Sequence, residues 1–466
     1  MQYSVVNYKM ILDEGFRIDP DYFMPIFLSN ETTINATKWK YLNDISKKIT
    51  DFGAYSQNNI VEYIENGEYF FIRNQDVKDF FLEDKKIFID KSVYDQLSLH
   101  LEEKDILVQR VGTLGKAGIV LAKDLLSTAN QNLAQIKPDQ SLINPFYLIT
   151  FLNSKFGELY FERLKTGNVQ PWLNLQQIKG LKIPVFSTIF QKIIEDVVNK
   201  AYSTRFNSKS LYSQSEQLLL SELGLVGWKQ KHELSFVKNF SDTKYSNRFD
   251  AEYFQPKYEE IIDAVKRYKG GFEELENLVK IKDKNLTPKD TEQYKYIELA
   301  NISSNGEING YTENFGSELP SRARRKVQKG DLVVSSIEGS LESIALITEG
   351  WKNALCSTGF FAIHSDKINP ETLLVLLKTK IGQLQLKKGC KGTILTAIGK
   401  GELSKIVLPK IETETQKQIK EKIAEMYETK KLSRSLLEIA KHGVEMAIEK
   451  DEEEARKWID IELANL

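Results

Sequence analysis

The sequence states one pattern twice, and that duplication limits the chain to architectures made of two like halves. Pro184 and Gln191 of IPVFSTIFQ recur as Pro409 and Gln416 of LPKIETETQ, and Ile72 and Val77 of FIRNQDV are matched by Ile297 and Ile302 of YIELANI, all four pairs at the offset 225. Upstream, RIDPDYFMP with Arg17, Asp19, Tyr22, Phe23 and Pro25 returns as RFDAEYFQP with Arg248, Asp250, Tyr253, Phe254 and Pro256. KDILVQRVGTLGKAGIV at 104–120 returns as GDLVVSSIEGSLESIALI at 330–347. The period is too long for a solenoid and suits a tandem pair of domains.

At 466 residues the chain has room for roughly three compact bodies. A formal net charge of −1 excludes a tail-driven polyanion binder, while leaving local basic faces open. Cys356 and Cys390 show no metal-ligand spacing, and His100, His232, His364 and His442 lie far apart in sequence, which points to a reducing cytoplasm and no zinc site. No stretch approaches the 18 apolar residues of a membrane helix, and MQYSVVNYKM has no signal-peptide pattern. The expectation is a cytoplasmic protein with no membrane partner.

Each copy runs in the same order: an arginine-aspartate-aromatic lead-in, short β-type runs, a glycine-containing turn, a helix, then a long helix. FFIRN (70–74), KIFID (86–90), DILVQRV (105–111), YKYIEL (294–299) and DLVVSSI (331–337) are short, aromatic or β-branched and bounded by polar residues, as strands are. INPFYLITFLNS and INPETLLVLLKT read as helices opened by Asn144-Pro145 and Asn369-Pro370. After Pro184 and Pro409 glycine becomes scarce over about 40 residues and a helical period takes over. Ile419, Ile423, Met426, Leu437 and Val444 fall on one stripe, and Ile194, Val198, Ala201, Tyr212 and Leu219 on its copy. Arg205, Ser208, Lys430 and Ser433 interrupt the stripes, so two separate surface helices remain an alternative to an antiparallel coiled coil about 60 Å long.

The resulting fold class is mixed α/β (α+β): two repeated domains separated by two long antiparallel helices, with a pseudo-two-fold. Its divisions are an N-terminal segment at 1–29, a first domain at 30–185, a central helix at 186–225, the lead-in of the second repeat at 226–269, a second domain at 270–410, and a C-terminal helix with acidic tail at 411–466. The tail, with Glu449, Asp451, Glu452, Glu453 and Glu454 before Trp458 and Ile459, reads as a solvated, partly frayed helix end, or else as a docking segment.

The ordered segments, from the aspartate-strand-glycine runs through Asn144 and Gly167 to IPVFSTIFQ, and again through Asn369 and Gly392 to LPKIETETQ, resemble the specificity subunits of type I restriction-modification systems. The resemblance covers nearly the whole chain. It implies two target-recognition domains held by long helices, no catalytic site, and roles in DNA methylation and phage defence. It implies assembly with two methyltransferase subunits, which carry the S-adenosylmethionine, and with motor-nuclease (restriction) subunits. The chain itself would hold no cofactor. Gly112, Gly115 and Gly118 follow the family's glycine pattern, whereas the second copy keeps only Gly339.

Two readers spaced to suit the DNA repeat of roughly 34 Å imply a bipartite target in double-stranded DNA. The copies agree least over about 30–105 and 270–330, so the half-sites should differ and the target should be non-palindromic. Arg322, Arg324, Arg325, Lys326 and Lys329 crowd SELPSRARRKVQKG, and Lys378, Lys380, Lys387, Lys388 and Lys391 run through LKTKIGQLQLKKGCKG without an acid. Such clusters suit phosphates, and arginine also suits guanine edges; a solvated charged face is the bland alternative. In the first copy the candidates are Arg110, Lys116, Arg163 and Lys165, with Asn130, Gln131, Asn132 and Gln170 able to read adenine edges, against purely structural roles. Trp172 and Trp351 read as core residues rather than base-stacking ones.

The glycines form neither a Walker nor a Rossmann fingerprint, and Asn144-Pro145-Phe146-Tyr147 lacks the second proline of an amino-methyltransferase motif. No catalytic constellation stands out. Two other classes remain open: a self-contained DNA methyltransferase or nuclease with a cryptic site, and a coiled-coil scaffold with no DNA role.

Overall fold

The runs ILVQ and LVVS, at Ile106–Gln109 and Leu332–Ser335, form strands buried along their whole length. Successive side chains of a strand point to opposite faces, and here both faces are covered. Ile106 and Val108 join one apolar cluster and Leu107 another; Leu332 and Val334 join one and Val333 another. A strand between two cores has no solvent side, which is why neither run alternates apolar with polar.

The computed structural model describes residues 4–466 apart from 14–15, 54–59, 65, 84–86, 113, 168–169, 304–305 and 393–395. Of the KIFID strand expected at 86–90, Lys86 lies outside the described residues and Phe88–Ile89 is the strand. The chain divides into one unit of Met1–Thr204 with Lys431–Leu466 and another of Arg205–Lys430. Both are mixed α/β.

Around its buried strand the first unit orders a sheet as Ser46–Asp51, Leu133–Pro138, Ile106–Gln109, Ala117–Ile119 and Phe80–Phe81. The second unit orders Lys280–Lys282, Phe360–His364, Leu332–Ser335 and Ile344–Leu346. The second list retraces the first four strands of the first, with antiparallel pairing at every step. A further sheet in each unit contains one parallel pair, Tyr69–Ile72 with Ser127–Ala129 and Gln293–Ile297 with Ala354–Ser357. A two-stranded ribbon pairs Trp39–Tyr41 with Lys182–Pro184, and Phe272–Glu274 with Val407–Pro409.

The repeated residues of the sequence do the same work in both units. Asn144 and Asn369 cap Pro145–Leu152 and Pro370–Lys378, accepting from Phe146 N at 2.8 Å and Thr372 N at 2.7 Å. Gln191 Oε1 accepts from the Asn144 backbone N–H at 2.8 Å, and Gln416 Oε1 from that of Asn369 at 3.3 Å. Each glutamine also donates back to its own chain, at Phe186 O and Ile411 O, both at 2.9 Å. The recurring glutamine thus ties the start of a long helix to the start of a domain helix.

The long helices are Thr188–Glu222 and Thr413–Glu449, of 35 and 37 residues. In the first unit Ile194, Val198 and Ala201 share a core with Leu437 and Val444, and Ser433 Oγ donates to Ala201 O at 2.7 Å. In the second, Leu219 shares a core with Ile419, Ile423 and Met426, and Lys422 Nζ donates to Gln214 Oε1 at 2.9 Å. Within the first unit Ala201 faces Ser433 while Ile194 lies beside Gly443. Within the second, Gln214 faces Lys422 while Lys269 bridges Glu222 and Glu412. The paired segments therefore run in opposite directions in each unit. Two of the polar interruptions are paired, Lys430 in a buried ion pair with Glu307 at 2.7 Å and Ser433 on Ala201 O, whereas the Ser208 hydroxyl is buried with no hydrogen-bond partner among the described residues.

The acidic tail is not a frayed end. Asp451 caps the helix Glu452–Ala464, Ala455 and Ile459 are fully buried, and Glu452 accepts from Ser187 N at 2.9 Å. The acids occupy the first turn, where the helix dipole favours negative charge, while the apolar stripe docks on the first unit. A Cβ on Gly443 would meet Ile459 at 2.6 Å, so the glycine makes room for it.

Gly157 and Gly382, one offset apart, open Lys155–Leu164 and Lys380–Lys388 so close to the preceding helix that a Cβ would meet Leu152 O or Leu377 Cα at 2.4 Å. Gly382→Ala is expected to cost about 1–3 kcal/mol in denaturant unfolding. Gly339→Ala, with nothing within 4 Å of the new methyl, should stay within about 0.5 kcal/mol.

Candidate nucleic-acid interface

In the second unit the basic run forms the strand Ala323–Lys326, and a register shift between Ala323 and Arg325 against Ala354–Ser357 marks a bulge. Bulges re-aim side chains, and this one sits among the arginines. Arg322 and Lys326 are exposed, Arg324 is half-buried with its Nε donating to Ser321 O at 2.9 Å, and Lys329 pairs with Glu349. Arg325 lies over the Phe361 ring at 5.7 Å. Its Nε and Nη1 are buried with no hydrogen-bond partner among the described residues, an uncommon state for a guanidinium. A nearby cation that the sequence gave no reason to single out is Lys400, paired with Asp283 at 2.5 Å; the hydrogen bond from Lys400 and the charge of Arg325 both hold the Asp283 carboxyl below its usual range.

The lysine group at 378–391 does not form one face. Lys378 ends one helix, Lys380, Lys387 and Lys388 lie on the next, where each residue turns about 100° from the last, and Lys391 lies on the short strand Cys390–Lys391. Lys378 Nζ donates to Glu342 O at 2.5 Å, Lys380 Nζ donates to Trp228 O, Lys391 pairs with Glu402 at 3.5 Å, and Lys387 is exposed. Lys388 packs over the Tyr253 ring at 4.9 Å, and burial pushes its ammonium below the usual lysine range.

Lys388 has its counterpart in Arg163, one offset earlier, and the two show what the arginine-aspartate-aromatic lead-in does. Arg17 binds Asp19 at 2.6 Å, stacks on Tyr22 at 4.0 Å and donates to Lys165 O at 3.4 Å. Arg248 binds Asp250 at 2.7 Å, stacks on Tyr253 at 4.4 Å and donates to Lys388 O at 3.3 Å. Arg163 covers Tyr22 from 4.2 Å, so each tyrosine has two cations against it. Arg163 is buried, pairs with Glu31 at 2.5 Å and donates to Tyr22 O at 3.1 Å. Burial would raise the Glu31 carboxyl, but hydrogen bonds from Lys182 and Arg163 hold it below the usual range. Arg163 and Lys388 are therefore packing residues rather than groups presented to a ligand.

In the first unit Arg110 is also engaged, with Nη1 on Asp51 at 2.7 Å and Nε on Leu173 O at 3.0 Å. Its backbone N–H bonds to Asn132 O at 2.9 Å, and Asn132 N bonds to Asn130 Oδ1 at 3.2 Å. The structure thus gathers Arg110, Asn130, Gln131 and Asn132 at one turn, with Asn130, Gln131 and Asn132 half-buried. The glycine turn joins them, since Gly112 N donates to Pro171 O at 3.1 Å, beside exposed Gln170 and Trp172. Trp172 is 43% exposed rather than core, because its backbone pairs with Thr166 and Val111 at a turn instead of a core strand. Trp351 is half-buried against Tyr311. Lys116 pairs with Asp79 at 3.1 Å and Lys165 with Glu162, both exposed.

Among the described residues no group of three or more His, Cys, Asp or Glu side chains is placed to hold a metal, and no helix is long and apolar enough to cross a membrane. Arg163→Ala is expected to lower stability by about 1–3 kcal/mol in denaturant melts and to leave any sequence preference for DNA unchanged.

No known family model matches the chain, and no curated protein does. Among solved structures it is similar to the type I restriction-modification system S subunit from M. genitalium, at 12% identity over 89% of this chain and 96% of that one, with a TM-score of 0.39. It is similar to the HsdS subunit from Thermoanaerobacter tengcongensis at 13% identity over 89% and 97%, with a TM-score of 0.30. A chain of a type I R-M system described for its complex assembly and conformational transition matches at 12% identity over 89% and 98%, with a TM-score of 0.31. The structural neighbours are thus type I S subunits, at identities and scores too low to carry an argument about activity.

Proposed function

We propose that this chain is the non-catalytic DNA-specificity subunit of a type I restriction-modification methyltransferase. It reads a bipartite, asymmetric target in double-stranded DNA with its two α/β domains, and scaffolds two methyltransferase subunits and a motor-nuclease. One observation supports this above the rest: the same strand order and the same glutamine and arginine-aspartate ties are built twice, while the outer residues differ. One copy gathers Asn130, Gln131, Asn132 and Gln170 at its turns, and the other carries Arg322, Arg324, Arg325 and Lys326 on a strand. Amides suit adenine edges and arginines suit guanine edges and phosphates, so one scaffold serves two unlike readers. The long helices, as a two-fold-related coiled coil, would set the spacing between half-sites. S-adenosylmethionine would sit on the methyltransferase subunits, which act on the adenine that this chain positions.

Purified alone, the chain is expected to transfer no label from S-adenosylmethionine to DNA, and to support transfer when methyltransferase subunits are added. Transfer by the chain alone would make it an enzyme in its own right. Replacing Arg322, Arg324 and Arg325 together with alanine should relax or weaken recognition of one half-site only, at roughly 1–3 kcal/mol per lost base contact. If these groups touch only phosphates, binding to every sequence weakens alike and the salt dependence flattens. Methylation profiling separates the two, and an unchanged profile with unchanged affinity would remove this strand from the reading surface.

A further inference from the structure

A short backbone ladder recurs in the two units with unlike residues at its centre. In the first, Leu173 N donates to Arg110 O at 2.8 Å and Gly112 N to Pro171 O at 3.1 Å, and Trp172 bridges Val111 on one side and Thr166 on the other. In the second, Ile398 N donates to Ser336 O at 2.8 Å and Glu338 N to Thr396 O at 2.9 Å, and Ala397 bridges Ile337 on one side and pairs with Lys391 on the other. These rungs correspond one to one, so the two backbones hold the central position in the same way. That position carries an indole in one copy and a methyl in the other.

A single exposed apolar side chain means little by itself. Trp172 differs in how it is held. Its backbone N–H and C=O are both bonded to Thr166, at 2.8 and 3.0 Å, and a Cβ added to Gly167 would meet its Cδ1 at 3.3 Å. Gly167 has a φ of +91°, a conformation that glycine adopts without strain, so the turn brings a bare Cα up to the indole. The residue nonetheless stays 43% exposed. A side chain whose backbone is fixed on both sides has little freedom left to lose on meeting a ligand. Beside it on the same ladder are exposed Gln170 and Arg110, whose backbone N–H reaches Asn132 O.

The difference between the copies decides what kind of ligand fits. Two like partner proteins would meet two like surfaces, and an indole in one place set against a methyl in the other would mismatch one of them. A DNA half-site is the ligand expected to differ from copy to copy, an expectation that rests on the function proposed above. An indole presents a flat apolar face that stacks on any base, and apolar side chains pressed between base steps partly unstack them. We infer that Trp172 is a specificity-determining residue of the first unit: its ring packs against bases of that unit's half-site and favours steps that unstack readily, such as TA and CA. Ala397 leaves the second unit without such a contact at the equivalent position.

The test compares methylation profiles of the full chain, assembled with the methyltransferase subunits proposed for it, as wild type, Trp172→Phe, Trp172→Leu and Trp172→Ala. Phenylalanine keeps a flat ring, whereas leucine keeps apolar bulk without one. Trp172→Phe should hold the wild-type motif, while Trp172→Leu and Trp172→Ala should relax discrimination at one or two adjacent positions by roughly 5- to 100-fold, the range that one base–aromatic stack supplies. Those positions should lie in the block that the combined alanine variant of Arg322, Arg324 and Arg325 leaves unchanged. Indole emission, taken as wild type minus Trp172→Phe, should be quenched by a duplex carrying the motif and not by one with that block scrambled. Equal weakening at both blocks, relaxation in the arginine block, an unchanged motif in Trp172→Ala, or emission indifferent to DNA overturns the inference and leaves the functional reading intact. Loss of subunit binding with the motif retained also overturns it, by assigning the indole to a protein partner. A wild-type assembly that methylates without regard to sequence overturns the functional reading and this assignment together.

Discussion

The interaction on which the rest depends is the bond from a glutamine side chain to the first backbone N–H of a domain helix, made by Gln191 to Asn144 and by Gln416 to Asn369. Each helix start has donors with no partner in its own helix, and a buried N–H left unpaired costs about 1–3 kcal/mol. Supplying that partner from the first turn of a long helix fixes where the long helix leaves its α/β domain. With the angle of departure fixed in the same way twice, the apolar stripes of Thr188–Glu222 and Thr413–Glu449 find one another within each unit. The strands sandwiched between two cores then supply the mass of apolar burial that holds each domain against its chain entropy.

Much of this was legible because the sequence repeats. A single copy of Pro184 and Gln191 is an ordinary helix start; its recurrence as Pro409 and Gln416 marks both as structural. The strands at 106–109 and 332–335, the Asn-Pro helix starts and the stripe residues were readable from local pattern, since periodicity and capping are properties of neighbours in sequence. What could not be read was the destination of charged side chains. Arg163 and Lys388 look like free cations in a one-dimensional run, yet both cover a tyrosine contributed from over a hundred residues away. Their equivalence at one offset was available in the sequence and would have flagged them as packing residues. The acidic tail misled for a related reason: its charges suggested solvent, while Ala455 and Ile459 formed the face that mattered.

The candidate reading surfaces follow a division of labour between the repeated and the unrepeated. Side chains common to both copies, such as the arginine-aspartate clasps, are consumed by bonds inside their own unit. Side chains peculiar to one copy are the ones left with capacity to spare: exposed Arg322 and Lys326 and Nε and Nη1 of Arg325, buried and unpartnered among the described residues, in one, and exposed Gln170 and Trp172 in the other. An arginine holding unsatisfied donors gains most from meeting an acceptor, because that contact also removes a standing cost. A scaffold kept constant while its outer residues vary can change what it reads without changing how it folds.

The most direct measurement of the central claim is the methylation pattern laid down on random-sequence DNA by this chain together with the methyltransferase subunits proposed for it. Two unlike scaffold-borne readers predict one motif made of two specific blocks of different sequence separated by a non-specific spacer of fixed length. A palindromic motif, a single contiguous block, or methylation indifferent to the presence of this chain would contradict the account.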